Sequence, residues 1–173
     1  MPQLTRQPDN FNMLSPLGFR FVLKRAPSLV FFTENVTLPS LILGSVEYAT
    51  PFVTYPVPGD HLDFSELSVA FKVDEDLANF MEIFDWMIAL GFPHEFGQYA
   101  AIASAGVTTG EGIRSDGTLV IESSAMRPNL EVTFEDMFPI SLSNLNFTTQ
   151  DAEVEYLSAE VTFKFTKYTM KLL

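Results

Sequence analysis

Between Pro58 and Gly91 a turn pair, an alternating strand, an acidic cap and a hydrophobic helix follow one another without a spacer, which restricts the chain to folds where sheet and helix pack directly together. Pro58 fixes φ near about −65° and Gly59 is free to take positive φ, so the pair predicts a tight type II turn between strands. Leu62, Phe64 and then Leu67, Val69, Phe71 and Val73 alternate with Ser68, Ala70 and Lys72, the pattern of a half-buried strand. Asp74 is placed to cap a following helix, with Glu75 and Asp76 adding negative charge at the positive end of its dipole. Leu77, Phe80, Met81, Phe84 and Ile88 recur at helical spacing until Gly91 and Pro93 end the helix. Trp86, Met87 and Leu90 widen the apolar surface beyond one stripe. The helix is therefore expected to be covered by sheet on one side and by something else on the other.

A chain of 173 residues, 47% of them hydrophobic and 17 of them Phe, has enough apolar surface for one sizeable core and is not disordered. One domain spanning residues 1–173 is expected. No apolar run reaches the roughly 18 residues of a membrane helix, and Met1-Pro2-Gln3-Leu4 lacks the parts of a signal peptide, so a soluble protein made in a cytoplasm is expected. The absence of Cys excludes disulfides, thiolate zinc sites and a cysteine nucleophile. A net charge of −12 with only 10 Lys and Arg argues against nucleic acid as a bound partner, because phosphate binding needs cations. Such a charge serves solubility, and it would also suit a conduit that must not hold DNA.

Residues 1–17 are polar and Pro-containing, which suits an extended arm; Phe11, Met13 and Leu14 are its apolar anchors, expected to dock on the same subunit or on a neighbour. Phe19 to Lys24 predicts a first strand with Phe19, Phe21 and Leu23 on one face. Leu29 to Thr33 continues extended structure and Asn35 to Ser40 forms a bent connection. Leu41 to Tyr48 and Thr50 to Val57 read as strands, the second an edge because Pro51 and Pro56 remove ladder donors. Phe96, Tyr99, Ala100 and Ala103 predict a short second helix over Glu95 to Ser104, followed by a mobile loop from Ala105 to Gly112. Asp116-Gly117 signals a hairpin between Ile113–Ser115 and Thr118–Glu122. Leu130 to Phe138 alternates, Pro139 to Leu142 turns a corner, and Val154 to Met170 forms the longest β pattern. About eight or more strands and one principal helix predict an α+β domain built mainly as an antiparallel β-sandwich or barrel.

Reactive constellations are scarce. His61 and His94 stand far apart in sequence, and His61 with Asp63 reads as surface before it reads as a metal site. Helix capping accounts for Asp74, Glu75 and Asp76; Glu82 and Asp85 form either a carboxylate pair or a solvated face. Gly106, Gly110 and Gly112 do not make a phosphate-binding loop, and the sequons at Asn35 and Asn146 have no secretory signal behind them. No catalytic residue, metal or cofactor is expected. Apolar excess remains: Phe11, Phe52, Tyr55, Phe92, Phe138 and Tyr156 fall in arms, edges or corners. Either loops fold back over them or further subunits bury them.

The order of elements resembles the tube proteins of contractile bacteriophage tails, which share a fold with type VI secretion tube proteins. The resemblance rests on Asn12-Met13-Leu14-Ser15-Pro16-Leu17-Gly18-Phe19-Arg20-Phe21, on Val36-Thr37-Leu38-Pro39, on a Gly and long hairpin at Gly44 to Val57, on Leu62 to Phe71 before a helix with Asn79 and Asp85-Trp86, and on Phe138-Pro139-Ile140-Ser141-Leu142 before the last strand. It implies a hexameric ring whose sheets join into an inner barrel, stacked rings that pass DNA without binding it, and neighbouring tube, baseplate hub or sheath proteins as partners, with no membrane. Localisation in a virion tail, assembled in the host cytoplasm, follows from the same resemblance. The long arm and the stretch from Phe92 to Gly117 depart from the plainest tube subunit and suit a special ring at a tail end, such as a tube-initiating baseplate protein. Leu41, Leu43, Val46, Tyr48, Phe52 and Tyr55 are the expected stacking residues of the hairpin, with Phe11, Met13 and Leu14 docking across subunits. A different class, a barrel that encloses a small apolar ligand, would instead need its Phe side chains to line a cavity.

Overall fold

A computed structural model of the protein describes residues 11–91, 96–109, 112–148 and 156–173. Residues 1–10 of the arm, Phe92, His94, Gly110 and Val154 lie outside the described residues. In chain order the elements are β1 (Phe19–Leu23), α1 (Leu29–Phe32), β2 (Thr33–Thr37), β3 (Leu41–Ala49), β4 (Thr54–Phe64), β5 (Leu67–Lys72), α2 (Ala78–Gly91), α3 (Phe96–Thr109), β6 (Ser115–Glu122), β7 (Pro128–Leu142), β8 (Ser158–Lys164) and β9 (Lys167–Leu172).

One antiparallel sheet runs in the order β1-β6-β7-β8-β5-β2, with β9 also on β7, while among the described residues β3 and β4 pair only with each other. β7, 15 residues long, serves two sets of neighbours. Its first half lies between β6 and β9, and Phe138 to Leu142 pair with β8. Between the halves Asp136 takes φ 59°. Its amide donates to Asp116 Oδ1 at 3.2 Å and its carboxylate accepts from Thr166 Oγ1 at 3.2 Å. Thr166 sits in the short break between β8 and β9, so both strands bend at one corner. The bend brings the two ends of the sheet, β1 and β2, together.

Alternation supplies the core. Phe21, Leu23, Val132 and Phe134 point inward from one half, Leu67, Val69, Phe71, Val161 and Phe163 from the other, all fully buried. Phe134 meets Phe165 edge-on at 5.2 Å and Tyr168 at 5.7 Å. α2 closes this core through Ile83 and Trp86. The Trp86 indole donates to Ile113 O at 3.2 Å, and the Arg25 guanidinium lies over its ring at 5.2 Å.

Several local expectations are corrected. Leu29–Phe32 forms a helical turn instead of extended chain, because Pro27 O accepts from Val30 N and Thr33 Oγ1 donates to Leu29 O at 2.7 Å. Asn35 lies in strand β2, bonded to β5, and not in a connection. Pro58-Gly59 is no turn: β4 passes through it. Asp116-Gly117 is likewise inside β6, where a Cβ on Gly117 would sit 2.5 Å from Met137 Sδ and would displace that buried side chain. The β6–β7 turn lies at Ser123–Arg127, with Met126 at φ 55°. The expected mobile loop is helix as far as Thr109, so α3 matches α2 in length at 14 residues. The pattern from Val154 onward divides into β8 and β9, leaving β7 as the longest strand.

Helix α2 starts after Leu77, at φ 56°, rather than directly after Asp74. Asp74 still caps, accepting from Asn79 N at 3.4 Å, and buried Asn79 donates through Nδ2 to Lys72 O at 2.7 Å. Glu75 and Asp76 precede the first turn and are not part of it. The buried face is Asn79, Ile83 and Trp86, turned from the expected stripe, so that Met81 and Phe84 remain exposed.

Phe134→Ala is expected to destabilise the fold by about 3–5 kcal/mol, since it removes a ring from the centre of the aromatic cluster. Urea denaturation followed by near-UV circular dichroism measures it.

Candidate assembly surface

The hairpin β3–β4 is the feature of the fold least explained by the subunit alone. Its turn is Thr50–Val53, closed by Thr50 N donating to Val53 O at 3.0 Å and by the Thr50 hydroxyl, which accepts from Val53 N at 3.2 Å. Phe52 at the tip is 97% exposed. One residue of β3, Gly44, opposes Gly59, Asp60 and His61 between the pairs Leu43↔Leu62 and Ser45↔Pro58. The two backbones are so close there that a Cβ on Gly59 would lie 2.8 Å from Gly44 O. The Pro-Gly signal thus marks a bulge that kinks a long hairpin.

Cross-strand partners share a face. Near the root Leu41 pairs with Phe64 and Leu43 with Leu62; further out, Val46 pairs with Val57 and Tyr48 with Tyr55 on the opposite face. Phe64 turns into the subunit, meeting Tyr168 at 5.2 Å and Phe165 at 5.8 Å. The Tyr48 and Tyr55 rings meet at 5.4 Å but stay exposed. The apolar surface therefore changes sides along the hairpin. No single contact within one subunit could cover both.

Of the residues singled out from sequence, Leu41, Leu43, Val46, Tyr48, Phe52 and Tyr55 are gathered on this hairpin and all are exposed. Phe11, Met13 and Leu14 stand on the separate N-terminal arm, 68%, 87% and 61% exposed, so they are not docked on their own subunit. Exposed Met170 and Leu172 on β9 were not singled out, although they share a face with Val132 and Leu130. The alternation over Tyr168 to Leu172 was the available signal, hidden by merging β8 and β9 into one strand.

The polar face of the main sheet is balanced in charge. Arg20, Lys24, Lys72, Lys164, Lys167 and Lys171 stand there among Glu34, Glu66, Asp116, Glu122, Glu131, Glu135 and Glu160. Ion pairs link Lys72 to Glu34 at 3.4 Å, Lys164 to Glu66 at 3.6 Å and Lys167 to Glu135 at 3.1 Å. Seven acidic against six basic side chains leave this face close to neutral, whereas the described residues of helices, hairpin and loops are predominantly acidic.

A groove of about 410 Å³ between α2 and α3 is lined by Arg25, Glu82, Asp85, Trp86, Gln98 and Ile102. Glu82 Oε1 accepts from Ser28 Oγ at 2.8 Å, which ties α2 to α1. Among its described lining residues no His, Lys or Cys stands beside Glu82 and Asp85, and His61 pairs with Asp63 at 3.1 Å on the exposed hairpin. Among the described residues no three His, Asp or Glu converge as metal ligands. No described helix is long and apolar enough to cross a membrane. The interior that a ligand-enclosing barrel would keep open is filled by Phe21, Phe71, Phe134 and Phe163.

No family model and no curated protein matches the sequence. Solved structures do match. A chain of the sheath–tube complex of an extracellular contractile injection system superposes with a TM-score of 0.63 at 14% identity, covering 94% of this chain and 94% of that one. The chain has the tube fold of contractile injection systems. A chain of the sheath/tube terminator of such a system gives 0.63 at 13% identity, over 95% of this chain and 99% of that one. The tube-terminating cap of the anti-feeding prophage gives 0.60 at 12% identity, with both chains fully covered. The tube fold is thus an α+β architecture of mainly antiparallel sheet, as expected, with two helices of equal length where one principal and one short helix were foreseen.

Gly59→Val is expected to break the hairpin's close approach, raising amide exchange across residues 41–64 tenfold or more, corresponding to about 1–3 kcal/mol. The amides of Phe71 and Val161 should exchange as before; hydrogen exchange read by mass spectrometry checks both.

Proposed function

We propose that the protein is a structural subunit of a contractile tail tube, a single domain that forms a ring, six copies to a turn, with no reactive centre of its own. The observation that carries this is the hairpin β3–β4, whose exposed apolar side chains switch faces along its length. Only surrounding copies can bury both faces, and a tube fold provides them as neighbours in the ring and in the next layer. Leu41, Leu43, Val46, Tyr48, Phe52 and Tyr55 make the stacking contact, while Phe11, Met13 and Leu14 dock the arm on an adjacent copy. The arm and the segment after α2 suit a ring at an end of the tube, next to hub, cap or sheath proteins. Assembly takes place in the cytoplasm of the producing cell, and the product is part of a virion or an equivalent particle.

The polar face of the sheet forms the channel wall in this proposal. Its Lys side chains are matched by carboxylates, so the wall offers neither the cation field that would hold DNA nor a strong anionic one. A polyanion would pass without being retained. The acidic excess on the other surfaces serves solubility and contact with outer proteins.

Negative-stain electron microscopy of concentrated protein should show six-fold rings or short stacks. Tyr48→Asp combined with Tyr55→Asp should abolish the stacks and leave single rings, while the thermal midpoint moves by only a few degrees, because exposed side chains contribute little to folding. Stacks that persist in this double variant would remove the hairpin from the stacking contact.

A further inference from the structure

Backbone chemistry makes the two edges of the hairpin unequal. Along an antiparallel ladder, pairs that exchange hydrogen bonds alternate with pairs whose N–H and C=O point away from the partner. Thr50 N donates to Val53 O, which makes Thr50 and Val53 a bonded pair. Alternation then makes Tyr48/Tyr55 and Val46/Val57 bonded, and turns Glu47/Pro56 and Ser45/Pro58 outward. The outward positions of β4 are thus occupied by proline twice over, and proline has no N–H to offer. Opposite them, Ser45, Glu47 and Ala49 of β3 present their donors and acceptors. β4 is a blocked edge, and β3 is an open one.

A second open edge lies on β9. Leu173 N donates to Asn129 O at 3.1 Å, so the same alternation turns Tyr168, Met170 and Leu172 outward. No proline interrupts this strand. The hairpin starts beside β9, where Phe64 touches Tyr168, yet β4 forms no ladder with it. β4 could not extend such a ladder outward for want of donors at positions 58 and 56.

Charge selects the same two strands. The span Leu41 to Phe64 carries Glu47, Asp60 and Asp63 and no Lys or Arg, whereas β9 carries Lys167 and Lys171 and no acidic side chain. Opposite signs favour contact between hairpin and β9 over contact between two hairpins. The uncovered Met170 and Leu172 add an apolar seat.

We propose that β3 of one copy pairs through its outer edge with β9 of a second copy, the prolines of β4 keeping each hairpin off its own β9. The proposal rests on the ring-forming function above, and it names the strands that would join. Because two different edges meet, the contact is heterologous and propagates from copy to copy until a ring closes.

The chain contains no Cys, so introduced thiols report alone. Met170→Cys is combined in turn with Ser45→Cys, Glu47→Cys or Ala49→Cys, and as a control with Pro56→Cys; each assembly is oxidised and run on a non-reducing gel. At least one β3 pair should give a ladder of covalent multimers, while the Pro56 control stays monomeric. Rings seen by electron microscopy without a β3–β9 ladder, or a ladder from Pro56 alone, would overturn the strand assignment and leave ring formation standing. If neither rings nor multimers form under any condition, the ring-forming function falls and the assignment with it. In addition, Pro56→Thr with Pro58→Thr should restore donors to β4 and produce sedimenting aggregates absent from the parent protein; a variant that assembles like the parent would overturn the blocking role.

Discussion

Backbone hydrogen bonding across β7 is the constraint on which the rest of the structure depends. Buried peptide groups must be paired, and one strand here supplies partners to β6, β9 and β8 along its length. It can do so only by bending, and Asp136 in the left-handed region provides the bend. A non-glycine residue in that conformation is held by its surroundings. Asp116 accepts its amide, Thr166 donates to its carboxylate, and Arg114 approaches that carboxylate at 3.8 Å. The corner thus places two half-sheets face to face around one aromatic core.

From this core outward, the subunit becomes less self-sufficient. α2 is fixed by a polar clamp, Asn79 to Lys72 and Asp74, and by Trp86 beneath Arg25. Among the described residues the hairpin is held by its own ladder and by the Phe64 contacts with Tyr168 and Phe165 at its root. Met81 and Phe84 on α2, Phe31 on α1 and Met170 on β9 add apolar surface around the body. A chain with a firm centre and unsatisfied margins has the physical character expected of a building block, which is the reading proposed for it above.

The parts of the fold legible in the sequence were those decided by side-chain periodicity. The alternation at Leu67, Val69 and Phe71, and that at Val161 and Phe163, placed the core, and the Asn79 and Asp85-Trp86 motif marked the helix that covers it. Turn chemistry misled, for a specific reason: Pro58-Gly59 and Asp116-Gly117 have the composition of turns but serve close packing between strands, at Gly44 O and at Met137 Sδ. Local sequence cannot distinguish a glycine that turns the chain from one that admits a neighbour. The helical face of α2 was displaced because a polar residue, Asn79, begins the buried stripe that Ile83 and Trp86 continue. Phe52 and Tyr55 of the hairpin stood out because their apolar side chains had no place in the core, and Leu41, Leu43, Val46 and Tyr48 followed from the resemblance to tube proteins, whereas β9 escaped notice because a break of two residues, Phe165 and Thr166, separates it from β8.

β1 and β2, the two margins of the main sheet, are joined by residues 24–32 alone, a link that contains α1 and is anchored where Arg25 Nη1 donates to Gly112 O at 2.9 Å. So short a tether leaves little freedom in how far the margins can separate. The curvature of the sheet is consequently built into each polypeptide before it meets another. A closed circle made from such pieces would inherit its radius from the angle stored in every piece.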